Sequence, residues 1–279
     1  MYFSKKLSNK LTSLKFFFKK RYFVAQYKIF SEDEWLETSV YSIADHVHKI
    51  LFVVSDVAWG DEIYGDPAQG DRLNTVLKSL ENKYPGKVLI QRGTWNSQKD
   101  HVQAGLEFIR EHIKDATHCL YVDSDEIYEE SELRKLKKTA RNYKSFNREV
   151  RVNMFTYFKS PKYQVFPPEN FKPMVLFPIR HFVEYTGIRS VNLAFIEADI
   201  WFHHLSYVRK EDVHIRNKMI THKHDEGTDV SWYDDVYLKW TPETTNFHPK
   251  EPAMFKTVKI LKDEEVLPLI RDTYDSWNI

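Results

Sequence analysis

The stretch Cys119-Leu120-Tyr121-Val122-Asp123-Ser124-Asp125-Glu126-Ile127 decides how the chain is read. An apolar run stops abruptly at two carboxylates spaced i, i+2. If the strand continues through them, Asp123 and Asp125 point to one face and Ser124 to the other. Two acidic groups side by side at a strand end repel each other unless something positive lies between them. A divalent cation is the simplest candidate, because hard cations take carboxylate oxygens and bridge them to phosphates. The plainer alternative is a polar turn after a buried strand, for which Asp and Ser are ordinary residues.

Upstream of this stretch, strand and helix alternate. Arg21 to Phe30 reads as an aromatic-rich strand, and Ser31 with Glu34 forms a capping-box pattern before a helix through Trp35, Leu36, Val40 and Ile43. Lys49 to Val54 is a buried strand ending at Ser55-Asp56. Residues 57 to 71 hold three of the eight glycines together with Pro67 and read as a loop, after which Asp71 is placed to cap a helix from Arg72 to Asn82. Pro85-Gly86 turns the chain into the strand Lys87 to Ile90. Asn96 or Ser97 starts a helix that puts Val102, Leu106, Ile109 and Ile113 on one face. Such alternation implies an α/β layer fold with a mostly parallel sheet, and ligands of these sheets sit outside the strand carboxyl ends. Asp56 and the Asp123/Asp125 pair both fall there.

From Arg148 the pattern changes. Alternating segments such as Val150-Arg151-Val152-Asn153-Met154-Phe155, and five prolines between 161 and 178, predict hairpins and loops rather than further βαβ units. Phe195 to Leu205 reads as one more strand, and Lys210 to His222 and Ser231 to Trp240 read as helices. With no repeat, low-complexity tract or linker, residues 21–279 are expected to form a single domain with an elaborated C-terminal half.

Composition sets outer limits. The 41 basic and 40 acidic residues nearly cancel, so no nucleic-acid partner is expected. The 16 Tyr, 19 Phe and 7 Trp suit ring-stacking ligands as well as an aromatic core. Cys119 is the single cysteine, which excludes an intrachain disulfide and a cysteine-based zinc cluster and fits a cytoplasmic setting. No apolar stretch reaches membrane-spanning length, and the first residues lack the continuous apolar segment and small-residue cleavage site of a secretory signal, so none is expected. Lys5, Lys6, Lys10, Lys15, Lys19, Lys20, Arg21 and Lys28 all precede the first acid, Glu32, while Leu7, Leu11, Leu14 and Phe18 share a helical face. Residues 1–20 are therefore a basic amphipathic segment, which either makes peripheral contact with an anionic membrane or docks its stripe on the domain.

Histidines are abundant after residue 180. Strand alternation from Ile200 puts Phe202 and His204 on one face and Trp201 and His203 on the other, so one of the two histidines points inward. A neutral imidazole can complete the coordination of a Mn²⁺- or Mg²⁺-like ion held by carboxylates. The alternative is a pair of half-buried strand histidines satisfied by hydrogen bonds.

Asp123-Ser124-Asp125-Glu126-Ile127 resembles the Asp-x-Asp motif of glycosyltransferases with the GT-A fold, of the family 2 type. His204-Leu205-Ser206-Tyr207, then Lys218, then His224-Asp225-Glu226, is similar to a His-Phe-Ser-Tyr…Lys…His-x-Glu pattern. That pattern belongs to the β-1,4-mannosyl-glycoprotein N-acetylglucosaminyltransferase-like family, whose acidic motif also continues as Asp-Glu-Ile. The resemblance spans residues 21 to 226. It implies a GT-A-type, Rossmann-like, metal-dependent transferase using a nucleotide-sugar donor, a UDP-sugar by resemblance. The acceptor would be a glycan or other hydroxyl. Residues 21–130 would be the nucleotide-sugar-binding half and 131–279 the acceptor half.

Carried onto this chain, Asp123 and Asp125 would bracket Mn²⁺ or Mg²⁺ and the donor diphosphate, with His204 as the C-terminal ligand. Asp56 would contact the nucleotide base or ribose, although the run here is Ser55-Asp56-Val57-Ala58-Trp59-Gly60 where family 2 enzymes carry Asp-x-Ser. An inverting reaction also needs a carboxylate to take the acceptor proton. Glu184, Glu197, Asp199, Asp234 and Asp235 are available; Ser231 and Asp234 form a capping-box pattern, which sets Asp234 aside, and Asp235 and Glu197 are taken as the catalytic candidates. Arg92, Lys99 and Arg189 read as solvated surface charges before phosphate contacts, and Trp59, Trp95, Trp201 and Trp232 as core or rim. The rival classes are a metal-dependent nucleotidyl- or phosphotransferase, a non-catalytic carbohydrate-binding relative, and a membrane-surface adaptor.

Overall fold

The computed structural model describes residues 21–30, 34–57, 59, 67–142, 145–226 and 229–277, without the side chains of 67–69 and 221–226. The basic segment 1–20, Ser31, and the side chains of His222, His224, Asp225 and Glu226 lie outside the described residues.

Strand β1 (Phe23–Ile29) is buried at every position because it is covered on both faces. Phe23, Ala25, Tyr27 and Ile29 join Ile50, Phe52 and Val54 of β2 (Lys49–Ser55) in one core cluster, while Val24, Leu51 and Val53 enter a second on the opposite face. That split is the period-2 geometry of a strand, and two covered faces are what a parallel sheet requires. β1 pairs in parallel with β2 and with β4 (His118–Val122), and β2 pairs in parallel with β3 (Val88–Gly93).

Helices α1 (Leu36–Ile43), α2 (Pro67–Lys83) and α4 (Glu130–Ala140) cover the first face, and α3 (Gln98–His112) the second. α3 begins at the expected cap, with Ser97 Oγ accepting from the Asp100 amide at 3.1 Å. α2 begins at Pro67, ahead of the expected Asp71 cap, because proline's fixed φ and missing N–H suit a first helical position. The capping box read for Ser31 and Glu34 falls partly outside the described residues; Glu34 Oε1 accepts from the Lys210 amide at 2.8 Å and lies 2.7 Å from His214 Nδ1. α3 lies so close to the sheet that a Cβ on Gly105 would sit 2.6 Å from both Gln26 Nε2 and Val53 Cγ2. This close approach seats Gln98 beside Lys28 of β1, whose Nζ donates to Gln98 Oε1 at 2.5 Å.

Beyond β4 the sheet turns antiparallel. β8 (Met174–Pro178) runs against β4 and against β6 (Arg148–Phe158); β7 (Ser160–Phe166) runs against β6, and β12 (Thr257–Ile260) against β7. β11 (Ala194–Tyr207) lies parallel to β6 and also pairs with the short β5 (Glu126–Ile127). The strand order is β3-β2-β1-β4-β8-β6-β7-β12, with β5 and β11 branching from it. β9 (Tyr185–Gly187) and β10 (Ser190–Val191) form a separate hairpin; α5 (Asp212–Glu226) and α6 (Pro268–Asp275) follow. The helix expected over Ser231–Trp240 is a short turn that widens to π form at Tyr233–Tyr237. The architecture is α/β: a Rossmann-like parallel half, as the alternation predicts, with an elaborated C-terminal half rich in hairpins. Among the described residues no helix is long and apolar enough to cross a membrane.

Candidate active site

The acidic pair converges by a route different from strand alternation. β4 ends at Val122, and Ser124 and Asp125 form a turn in which the Glu126 amide donates to Asp123 O at 3.1 Å. The next residue, Glu126, adds a third carboxylate, and its Oε2 accepts from the Asp123 amide at 3.3 Å. β5 then pairs against β11, setting Glu126 opposite His204 and Ile127 opposite His203. Alternation along β11 sorts the two histidines as expected. His204 Nε2 lies 3.7 Å from Asp125 Oδ1. His203 faces the other way, with Nδ1 at 2.7 Å from Tyr157 Oη and Nε2 at 3.4 Å from Glu129 Oε1.

The cations around this cluster come from distant parts of the chain. Arg189, read from sequence as a surface charge, is largely enclosed, its side chain 13% exposed: Nη2 donates to Asp123 Oδ2 at 2.6 Å and to Glu126 Oε1. Its guanidinium also sits 4.5 Å from the centre of the Tyr121 ring. The hairpin that carries it is fixed from both ends, by Gln103 Oε1 accepting from the Tyr185 amide at 3.0 Å and by Glu149 Oε2 accepting from the Val191 amide at 2.8 Å. Arg209 Nη2 donates to Asp125 Oδ2 at 2.7 Å, and Lys218 Nζ, from α5, stands 3.6 Å from the same oxygen while donating to Ser206 Oγ.

Electrostatics follow from these contacts. Burial works against the charged form of Asp123, but Arg189 and Lys28 outweigh it and hold the carboxyl below its ordinary range. At Asp125 the same burial is overcome by Lys218, Arg209 and His204. Burial pushes Glu126 up to about 8 even with Arg189 against it. His204 is pushed down to about 4, by burial first, with Asp125 pulling the other way. The cluster is thus two carboxylates, a carboxyl held back from ionising and a neutral imidazole.

These groups open into a cavity of about 450 Å³. Its floor includes Met154 of β6 and His204 and Ser206 of β11; its walls come from Arg189, the loop Glu169–Pro173, α5 through Lys218, and the 248–255 segment. Glu169 carried no sequence signal beyond a carboxylate after Pro167-Pro168. Burial pushes its carboxyl up to about 7, against a hydrogen bond from Thr156 Oγ1.

Asp56, Glu197 and Asp235 do not line the cavity. Asp56 ends its strand half-exposed and pairs with Arg92 Nη1 at 3.1 Å. Glu197 is exposed and paired with Lys172, and Asp235 is exposed and pairs with Lys239 at 3.2 Å, one helical turn away. β11 begins at Ala194 well before it reaches the site, and Asp235 lies in the π turn facing solvent, so neither candidate base is brought to the acidic pair. Trp59 and Trp95 pack on His101, and Trp232 lies in a core cluster, in keeping with their reading as packing residues.

Among the described residues no three His, Cys, Asp or Glu side chains stand together as a ready metal shell. The donor types fit Mn²⁺ or Mg²⁺, and His204 Nδ1 is a buried ring nitrogen with no hydrogen-bond partner. One oxygen of each aspartate is engaged by arginine. The other, Oδ1, receives the Tyr121 hydroxyl at 3.2 Å in Asp123 and faces His204 in Asp125. By donor type these residues fit a divalent cation only as part of a shell that needs further ligands.

No protein-family model matches the chain, and no curated protein matches it. Among solved structures, S. aureus TarS is similar over 76% of this chain and 41% of its own, at 9% identity and a TM-score of 0.42. A 4-diphosphocytidyl-2C-methyl-D-erythritol synthase is similar over 50% of this chain and 63% of its own, at 16% identity and a TM-score of 0.36. The synthase of that name from Anaerococcus prevotii matches 92% of this chain and 96% of its own, at 13% identity and 0.36. The chain thus spans less than two thirds of the length of the first two. At these scores the likeness bears on neither reaction nor ligand, and the fold assignment rests on strand order and register.

Proposed function

We propose that the cavity binds a nucleotide sugar, a UDP-sugar by resemblance, and transfers the sugar to a hydroxyl of a glycan or other acceptor in the presence of Mn²⁺ or Mg²⁺. One observation carries the reading. At the carboxyl edge of a parallel sheet, Asp123, Asp125 and Glu126 meet Lys28, Arg189 and Lys218 around a single cavity. That edge is where α/β sheets bind ligands. The residues of the motif resemblance support the family proposed, since His204, Ser206, Tyr207 and Lys218 all line the cavity.

Asp123, Asp125 and His204 would hold the divalent ion, which when bound supplies charge neutralisation for a departing diphosphate. The side chains supply the rest. Lys28 and Lys218 are positioned to meet phosphate oxygens, and fixed cations in a site shielded from water stabilise charge that develops during bond breaking. Arg189 braces Asp123 and Glu126 from the hairpin and fixes the orientation of both acids.

The test is a panel of nucleotide sugars incubated with Mn²⁺ or with EDTA, with products identified by mass spectrometry. A glycosyltransferase releases nucleoside diphosphate and forms a glycoside or free sugar. Release of nucleoside monophosphate would favour nucleotidyl or phosphoryl transfer instead, and no consumption of any donor would refute the assignment.

A further inference from the structure

We propose that Glu169 is the catalytic base for the acceptor hydroxyl and that Phe171, on the same loop, is the platform on which an acceptor sugar ring lies. This rests on the transferase reading and names the acceptor side of that site. The loop between β7 and β8 brings both residues to the cavity wall. Glu169 is tied to the floor by Thr156 Oγ1 of β6, and Thr156 is the register partner of His204 on β11. Adjacent strands are about 5 Å apart, so Glu169 is anchored one strand away from the imidazole that faces Asp125.

The other carboxylates of the site are already engaged. Asp123 and Glu126 take Arg189, and Asp125 takes Arg209 and Lys218. Glu169 accepts from a neutral hydroxyl, and among the described residues no cation pairs with it. A base works best when it exchanges protons near the working pH, and burial sets Glu169 there. Phe171 is half-exposed although it lines the cavity, an open ring face of the kind that sugar C–H groups cover.

The step is a single displacement. The acceptor O–H gives its proton to Glu169, and the acceptor oxygen forms a bond to the anomeric carbon. The bond from that carbon to the diphosphate oxygen breaks, and its electron pair leaves with the nucleoside diphosphate. Glu169 then returns the proton to solvent.

The experiment measures transfer from UDP-glucose, UDP-galactose and UDP-N-acetylglucosamine to water and to methyl glycosides of mannose, glucose, galactose and N-acetylglucosamine. Donor affinity is measured in parallel by calorimetry. Glu169→Gln keeps an acceptor oxygen for Thr156 but cannot take a proton, so kcat should fall about 10²–10⁴-fold with donor Kd unchanged. Phe171→Ala should raise the acceptor KM about threefold to tenfold, and Phe171→Tyr should restore it. A Glu169→Gln kcat within about threefold of wild type would overturn the base assignment while leaving the donor site standing, and an unchanged KM in Phe171→Ala would overturn the platform. Wild-type protein that consumes no donor overturns the transferase reading and this inference with it.

Discussion

Replacing Asp125 tests whether the acidic pair is part of the frame as well as the site. Its side chain is 4% exposed and receives Arg209 at 2.7 Å, with Lys218 and His204 at 3.6 and 3.7 Å. Arg209 is equally enclosed, at 6%, and Glu34 Oε2 lies 3.7 Å from its Nε. Asp125→Ala therefore strips a carboxylate at 2.7 Å from a buried guanidinium. Breaking a buried pair from one side costs about 3–5 kcal/mol. At roughly 2–4 °C per kcal/mol for a chain of this size class, Tm should fall by about 6–20 °C. Calorimetric melting of the wild type, Asp125→Ala, Arg209→Leu and the double variant gives the coupling directly. The double variant should lose less than the sum of the singles by about 0.5–3 kcal/mol. A Tm drop under about 2 °C, less than 1 kcal/mol at this scale, or strict additivity, would refute the reasoning. Activity lost in Asp125→Ala is consequently ambiguous, and Asp123→Asn is the cleaner probe of the donor site.

Glu169 also gives a pH signature. Its carboxyl rises from 4.5 to about 7 on folding, so the protonated form is favoured in the native state; the stabilisation is complete below about 4.5 and is lost as pH rises through about 7. The span corresponds to about 3 kcal/mol. Urea melts of the wild type should weaken relative to Glu169→Gln between pH 5 and 8, and parallel curves would contradict it. At Gly105, alanine gains about 1 kcal/mol of helix propensity but must displace Gln26 and Val53 at a cost of about 1–3 kcal/mol. The urea midpoint should therefore not rise, and a clear increase would deny the close contact. Arg189→Met removes the shared cation of Asp123 and Glu126; Tm should fall by several degrees, and an unchanged melt would show that the pair carries no stability.

The parallel half was legible because its signal is local. The apolar runs of β1 and β2, the Ser97 cap and the apolar face of α3 are all written within a few residues. Asp123 and Asp125 were legible by residue type and His204 by strand parity, while the aspartates meet through a turn in which Glu126 bonds back to the Asp123 amide. The cations and the acceptor wall were not. Arg189 reaches Asp123 across 66 positions, and nothing near residue 189 distinguishes it from a surface arginine until the hairpin is docked by Gln103 and Glu149. Glu169 likewise depends on a loop held over β6. Glu197 and Asp235 had the right chemistry, but their elements present them to solvent beside Lys172 and Lys239.

In the proposed donor complex a diphosphate is shared between the acidic pair and a divalent ion, and calorimetry of UDP binding in Mn²⁺ and in EDTA tests this most directly. Wild-type protein should bind UDP with Mn²⁺ and lose at least about tenfold in affinity, roughly 1.4 kcal/mol, in EDTA or in Asp123→Asn. Equal affinity with and without Mn²⁺, or binding unchanged in Asp123→Asn, would contradict it.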